Sequence, residues 1–480
     1  MRKALIITTF LWSIFTTAQP PHNFYASYGG NADDIGFSCK QTLDGQYIIA
    51  GSSSSKGFGQ TDVYLMKLDS MGQIIWDKYI GGFGIEVGRS VLQLSDSGFV
   101  VVGYTNSYGA GGYDVFLFRT DKNGNMVWQK SFGGVDWDFG NDLTIGSDGN
   151  IYVVGYTYSF GSGKKDGLFL KYDLSGNLLL NKCFGGVENE ELSSIINTND
   201  NFLASVGYTE SYKDSLGDFY FLKLDLNGDT LFTKSYGNQG KSLLNDLVQF
   251  PSGDYILVGA ETYTDLPFTQ SYRGLMNSTG SSFLWEGNSF TYNDDESWKS
   301  VTKSIYGSQR VSTLRDFDKA GFRTQGSIFS NFWNDFYPAI VNEFGGTEDE
   351  HFYSHEGTRD GGFICVGSTR SYNSLGLDIF VIKLDSSIFN YVSIVGLPKP
   401  SFKSNLCLIT VTETLIQIEL DPMRLPVSIE IISLDGNTVR KVNVINDKLE
   451  MDRQLFFNGL YIFKFNYPDY NSEIKKVLIQ

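Results

Sequence analysis

The stretch "QKSFGGVDWDFGNDL", Gln129–Leu143, carries the reading on which the fold rests. An aromatic residue precedes two glycines, and acids follow at Asp136, Asp138 and Asp142. Taken alone, it fits either a glycine turn that cradles an anion or a carboxylate cluster for a cation. It is not alone. The same Gly-Gly pair ends at Gly30, Gly82, Gly134 and Gly186, each 52 residues after the last, and again at Gly346. The triplet "YGN", Tyr236–Asn238, keeps the phase. Self-similarity at this period marks a solenoid or a propeller.

Outward from the glycines, each unit repeats its internal marks. From Gly82 to Trp128 the chain reads "RSVLQLSDSG", "FVVVGYTNS", "YDVFLFRTDKNG" and "NMVWQKSF". Apolar alternation broken by Ser-Gly and Asn-Gly turns predicts four antiparallel strands joined as hairpins. Four strands per unit make a propeller blade. A helical solenoid would need 3.6-residue periodicity over glycine-free runs, which the units lack. The rhythm runs from about Tyr25 to Ser387 and gives about seven blades. Units five and six are worn, so six or eight blades stay open. The glycine pair falls where one blade's outer strand hands over to the next blade's inner strand, where glycine permits positive φ and close backbone approach. The first repeat opens with an outer-type strand and the seventh stops after its third. Phe24–Ser27 is therefore expected to pair with Ile379–Leu384 and close the ring.

Composition agrees with many short strands and narrows the partners. The 480 residues include 53 Gly, 10 Pro and 15% aromatics, and the formal net charge is −16. Such a surface repels phosphate backbones, so no nucleic-acid partner is expected. Four cysteines, Cys39, Cys183, Cys365 and Cys407, lack metal spacing and read as free thiols. At the N-terminus, Arg2 and Lys3 precede the short apolar run Ala4–Phe15, and small residues end at Ala18. Residues 1–18 are expected to be a signal peptide for Sec export.

The units "W-x-K-x-[YF]-G-G", "T-x-D-G-x-[YF]-I-x-x-G-x-[ST]-x-S" and "D-x-x-L-x-K-x-D-x-x-G" resemble the propeller-like repeats of secreted Bacteroidota proteins. The resemblance covers residues 19–387 and speaks to architecture, not activity. After "SIVGLPKPSFKSN", read as a linker over 388–400, the segment 401–480 alternates as a small Ig-like β-sandwich. Its "IEIISLDGNTVRKV" (Ile429–Val442), "NGLYIFKF" (Asn458–Phe465) and "KKVLIQ" (Lys475–Gln480) resemble the type A sorting domain of the type IX secretion system. The resemblance implies periplasmic transit, passage through the outer membrane, removal of the domain and attachment to surface lipopolysaccharide. It places the sorting signal on Gly459, Leu460, Tyr461, Lys475, Lys476 and Val477.

Four residues past each second glycine stands an acid: Asp34, Glu86, Asp138, Glu190, Asp294 and Glu350, with Ser242 breaking the series in unit five. Each is expected near the start of an inner strand. There it either caps backbone N–H groups or joins a ring that attracts Ca²⁺ or a cationic ligand. A second periodic acid, Asp62, Asp114, Asp166, Asp218 and Asp378, reads as a turn or inter-blade hydrogen-bonding residue. His351 and His355, at even spacing on one strand, are expected on one face. The irregular units carry Trp285, Tyr292, Trp298, Trp333 and Tyr337, aromatics able to stack on a glycan. No nucleophile, base and orienting acid recur at recognisable spacing. The expected function is therefore a secreted or cell-surface binding or scaffold propeller. The alternative is an extracellular polysaccharide-acting or calcium-dependent enzyme built on it. The two differ in one respect: an enzyme is expected to concentrate non-periodic acids and aromatics at one mouth, with units five and six the place to look, whereas a passive scaffold shows only periodic residues.

Overall fold

Hydrophobic alternation and Asp-Gly turns fold into antiparallel hairpins along the whole repeat. The computed structural model describes residues 23–212, 217–237, 240–262, 269–288, 296–303, 310–318, 324–332, 340–345, 348–371, 375–385 and 394–395. It also describes 407–411, 415–420, 428–433, 438–444, 448–452, 456, 459–466 and 472–479. The expected signal peptide, together with Asp294, Tyr292, Trp333 and Tyr337, lies outside these residues. Contacts divide the chain into two units, Met1–Lys399 and Pro400–Gln480.

The first unit is a seven-bladed β-propeller. Its inner strands are Asp34–Gln41, Glu86–Gln93, Asp138–Ile145, Glu190–Asn197, Ser242–Gln249, Glu296–Lys303 and Glu350–Gly357. Each starts an antiparallel sheet of four strands. Every inner strand packs against the next, and the seventh packs against the first. The seventh sheet takes its outer strand from the N-terminus: Phe24–Tyr28 pairs antiparallel with Asp378–Leu384, Phe24 opposite Lys383 and Tyr28 opposite Ile379. The expected closure is therefore observed. The sixth sheet gains a short parallel strand, Ile394–Val395, beside Phe344 and Gly345. Part of the stretch read as linker thus belongs to the propeller.

The core lies between blades. Second and third strands such as Tyr47–Ser53 and Asp62–Leu68 are buried at every residue, because each sheet is covered on both faces. One cluster joins Val100, Val102, Val115 and Leu117 of the second blade to Leu143, Val153 and Leu168 of the third. Another joins Ile49, Tyr64 and Met66 of the first blade to Val366, Ile379 and Val381 of the seventh, so the ring closes by packing as well as by pairing. Cys39 and Cys365 are buried free thiols within this seam, and burial pushes the Cys39 thiol up to about 12.

All seven inner strands share one irregularity. The register slips between Gly36 and Ser38, Gly88 and Ser90, Gly140 and Asp142, Leu192 and Ser194, Leu244 and Asp246, Trp298 and Ser300, and Phe352 and Ser354. One extra residue at each slip is a β-bulge. It bends the strand and reverses which face the following residues occupy.

In the second unit, Cys407–Val411, Leu415–Leu420 and Lys448–Asp452 form one sheet. Thr438–Asn443, Ser428–Ser433, Gly459–Asn466 and Ser472–Ile479 form another, in that order. Ile416, Ile418 and Met451 from the first share a core with Ile429, Ile431 and Phe463 from the second. Ser472–Ile479 is an edge strand, with Tyr461 opposite Val477 and Ile462 opposite Lys476.

Candidate functional site: the central channel

The periodic acids do begin the inner strands, and all that are described there are fully buried. Their carboxylates turn into their own blades. Glu86 accepts from Gly82 N at 2.6 Å and from Thr105 Oγ1 at 2.6 Å. Asp34 accepts from Gly30 N at 2.9 Å and Ser55 Oγ at 2.6 Å. Asp138 accepts from Gly134 N at 2.8 Å, Ser159 Oγ at 2.7 Å and Thr157 Oγ1. Glu190 accepts from Gly186 N and Thr209 Oγ1, each at 2.8 Å, and Glu350 from Thr369 Oγ1 at 2.8 Å. These are caps that staple the Gly-Gly turn to the end of the second strand. They do not form an open ring for Ca²⁺. The sixth blade's inner strand starts at Glu296, so the strand-start position assigned to Asp294 belongs to Glu296.

The second acids complete the same corner. Asp62 Oδ2 accepts from Phe58 N and Gly59 N, while its Oδ1 lies beside Gly81. A Cβ on Gly81 would stand 2.2 Å from Asp62 Oδ1 and 2.3 Å from Glu86 Oε2. Gly29, Gly133 and Gly185 are enclosed the same way by Asp378 and Asp34, Asp114 and Asp138, and Asp166 and Glu190. None of these glycines has positive φ. The first glycine of each pair is required for space between two carboxylates and the second for space beside a serine, as Gly30 lies beside Ser55 and Gly82 beside Ser107; neither is required for a left-handed backbone. Burial and the neighbouring Asp34 carboxylate push Asp378 up to about 6.

The channel itself is built by the bulges. The residue after each slip is Ser38, Ser90, Asp142, Ser194, Asp246, Ser300 or Ser354, and the first six side chains tie blade to blade. Ser90 Oγ donates to Asp142 Oδ1 at 2.7 Å, and Ile195 N to Asp142 Oδ2 at 3.0 Å. Ser194 Oγ lies 2.9 Å from Asp142 Oδ2 and 3.0 Å from Asp246 Oδ1. Val301 N donates to Asp246 Oδ2 at 2.9 Å. One hydroxyl proton cannot serve two carboxylates at once. Burial and the Asp142 charge accordingly push Asp246 up to about 6. His355 Nδ1 lies 3.0 Å from Ser300 Oγ and belongs to this belt.

The bulge residues are Phe37, Arg89, Asn141, Ser193, Asn245, Lys299 and Tyr353. All seven line one cavity of about 290 Å³ on the channel. Seven equivalent positions carry six different residue types, whereas the belt beside them carries only Ser and Asp. The order round the ring segregates them. Lys299, Tyr353, Phe37 and Arg89 are consecutive, and Asn141, Ser193 and Asn245 complete the circle. Phe37 and Tyr353 are in contact with centroids 5.0 Å apart and ring planes inclined by 55°, and the Arg89 guanidinium sits 4.6 Å from the Phe37 ring centre. Lys40, also on the wall, is spent on Glu356 at 2.6 Å. At the strand-start end, Phe139 stacks on Tyr156 and meets Tyr104 edge to face, and Tyr113 and Trp137 extend the cluster.

Of the five aromatics expected to stack on a glycan, two lie on described strands. Trp285 stands in the outer strand Phe283–Asn288 of the fifth blade and Trp298 in the inner strand of the sixth. His351 and His355 do not share a face, because the bulge between them reverses the alternation; His355 is buried and His351 half-buried. Among the described residues, no group of three or more His, Cys, Asp or Glu is placed to hold a metal ion. Gly459, Leu460 and Tyr461 pair with Ile479, Leu478 and Val477, and Lys475 and Lys476 pair with Phe463 and Ile462. The residues expected to carry a sorting signal thus occupy two adjacent strands of the second unit.

A family described as "Domain of unknown function (DUF5122) beta-propeller" matches residues 43–74, within the first blade. Regulatory protein FlaEY of Caulobacter vibrioides is 28% identical over 179 residues, which is 32% of this chain and 18% of that protein. The chain therefore spans under a fifth of that relative. Among solved structures, the Pan2 WD40 domain of Neurospora crassa is similar at 11% identity and a TM-score of 0.46, covering 74% of this chain and 89% of that one. PorZ, a surface component of the type IX secretion system of Porphyromonas gingivalis, is similar at 11% identity and a TM-score of 0.33, covering 93% and 51%. These likenesses concern the fold alone: the chain carries a β-propeller repeat domain.

Proposed function

We propose that this chain is a secreted or surface-attached binding protein that takes its ligand in the central channel and is exported by type IX secretion through residues 401–480. The observation that carries the binding reading is the bulge ring. Capping acids, glycine pairs and belt hydroxyls recur from blade to blade, as closing a ring requires. The seven bulge positions are equivalent in the fold and yet diverge in chemistry. Packing does not demand that divergence, whereas recognition of an asymmetric ligand does. The export reading is supported by the apolar leader after Arg2 and Lys3 and by the Gly-Leu-Tyr strand and the terminal strand with its basic pair. A polysaccharide-acting enzyme gains no support from the cavity, since its acids Asp142 and Asp246 are engaged by backbone N–H and hydroxyl groups. The test is a glycan and protein array probed with the mature chain and with a variant in which Phe37, Arg89 and Tyr353 are serine. Ligands held by the parent should be lost by the variant. Undiminished binding in the variant would move the site off the channel.

A further inference from the structure

Resting on the binding reading, we infer that the channel ligand is a carboxylated sugar, a uronate unit of an acidic glycan. The chain is strongly acidic, yet the cavity presents two cations that nothing neutralises. Among the described residues, neither Arg89 nor Lys299 has a carboxylate partner or a hydrogen bond. Lys40 is held by Glu356, and the cavity acids Asp142 and Asp246 accept from their neighbours in the belt. Arg89 uses only its face on Phe37, which leaves its edge N–H groups for a bidentate carboxylate contact.

The two cations flank the tilted ring pair Tyr353 and Phe37. A ligand between them needs an anionic group at its edge and an apolar face of ring size. A pyranose offers its C–H face to an aromatic ring and, when it is a uronate, a carboxylate in the ring plane. The opposite arc answers the remaining groups. Asn141 donates its amide to Glu191 Oε1 and Leu192 O, each at 3.0 Å, which leaves its side-chain oxygen to accept from a sugar hydroxyl. Ser193 and Asn245 stand beside it on the cavity wall. A volume of about 290 Å³ suits one or two rings, at the lower end of small-molecule sites. An inorganic anion would leave the aromatic pair unused, and a neutral sugar would leave the cations unused.

The test uses the mature full chain, a panel of uronate-containing oligosaccharides, their methyl esters, and peptides with a free C-terminal carboxylate. An ester keeps the ring and removes the charge. At least one uronate should bind, its ester should bind about tenfold more weakly or worse, and added salt should weaken the acid form alone. Arg89→Gln and Lys299→Gln should each lose about tenfold for the acid form, with unchanged melting temperature and little change for the ester. Equal binding of ester and acid would overturn the uronate assignment while leaving a channel lectin. Binding of the peptides but not the sugars would overturn the sugar class while leaving channel binding. Binding of none of these probes would overturn the uronate assignment, and silence of the wider array as well would overturn the binding reading itself.

Discussion

At the residue scale, the glycine pair and its two acids account for the repeat. The sequence shows the spacing, but it cannot tell a glycine needed for positive φ from one needed for room. The distinction is testable. Gly81→Ala places a methyl group against Asp62 Oδ1 and Glu86 Oε2. To make room, Glu86 must leave Gly82 N and Thr105 Oγ1, so the loss should be about 3 kcal/mol, at the upper end for overpacking. Gly149→Ala meets no atom within 4 Å and suffers only from a φ of +78°, so it should lose about 1 kcal/mol. Urea unfolding of both variants checks the order; a reversed order would reject the space argument. The same corner has a pH signature. Asp378 is pushed up to about 6, above the roughly 3.9 of an unfolded chain, by burial and by Asp34. The folded state therefore holds the extra proton between these values. The contribution of Asp378 to stability is present below about pH 4 and is lost as pH rises through about 6. Asp378→Asn removes the repulsion, so it should raise the melting temperature at neutral pH and change it little near pH 4. An effect of equal size at both would show that the two carboxylates do not interact.

At the element scale, strand order was legible and strand parity was not. The 52-residue phase locates each inner strand from turn chemistry alone. It fails at the sixth blade, because 54 residues separate Ser242 from Glu296 and Glu296 from Glu350. Two added residues move the phase, so the period points to Asp294 while the strand starts at Glu296. The bulge is invisible to a period-2 reading. It carries no glycine signature, since Phe37, Arg89 and Lys299 occupy it as readily as Asn141. It reverses the face of every later residue, and so it separated His351 from His355 and hid the lumen ring. The belt could have been found: Ser38, Ser90, Asp142, Ser194 and Asp246 keep the 52-residue phase as faithfully as the capping acids. Ring closure was legible because an unpaired outer strand and a missing one are complementary. Phe24–Tyr28 covers the edge of Asp378–Leu384, Tyr28 Oη donates to Gly72 O at 2.5 Å, and Phe24 packs on Tyr47. Deleting residues 23–28 exposes that edge and unpairs the seam between the first and last blades. The melting temperature should fall by several degrees and the protein should aggregate more readily. An unchanged melting temperature would show that the seam holds by packing alone.

At the scale of the whole molecule, the chain divides into a propeller that repeats and a second unit that does not, and the proposed export reading rests on the second. The second unit has its own core, in which Ile416, Ile418, Ile429, Ile431, Met451 and Phe463 are buried, and it is expected to fold without the propeller. Its last strand, Ser472–Ile479, lies at a sheet edge and leaves one row of backbone groups unpaired by the sheet. An edge of this kind is a template for strand addition by a receptor. Removing Glu473–Gln480 takes away that strand and leaves every blade intact. The truncated protein should fold its propeller and accumulate in the periplasm. Fusing residues 397–480 to a periplasmic reporter should carry the reporter to the cell surface in a host with type IX machinery. Cell fractionation with surface proteolysis reads both outcomes. Arrival of the truncated protein at the surface would make the second unit an accessory domain and leave export to the propeller itself.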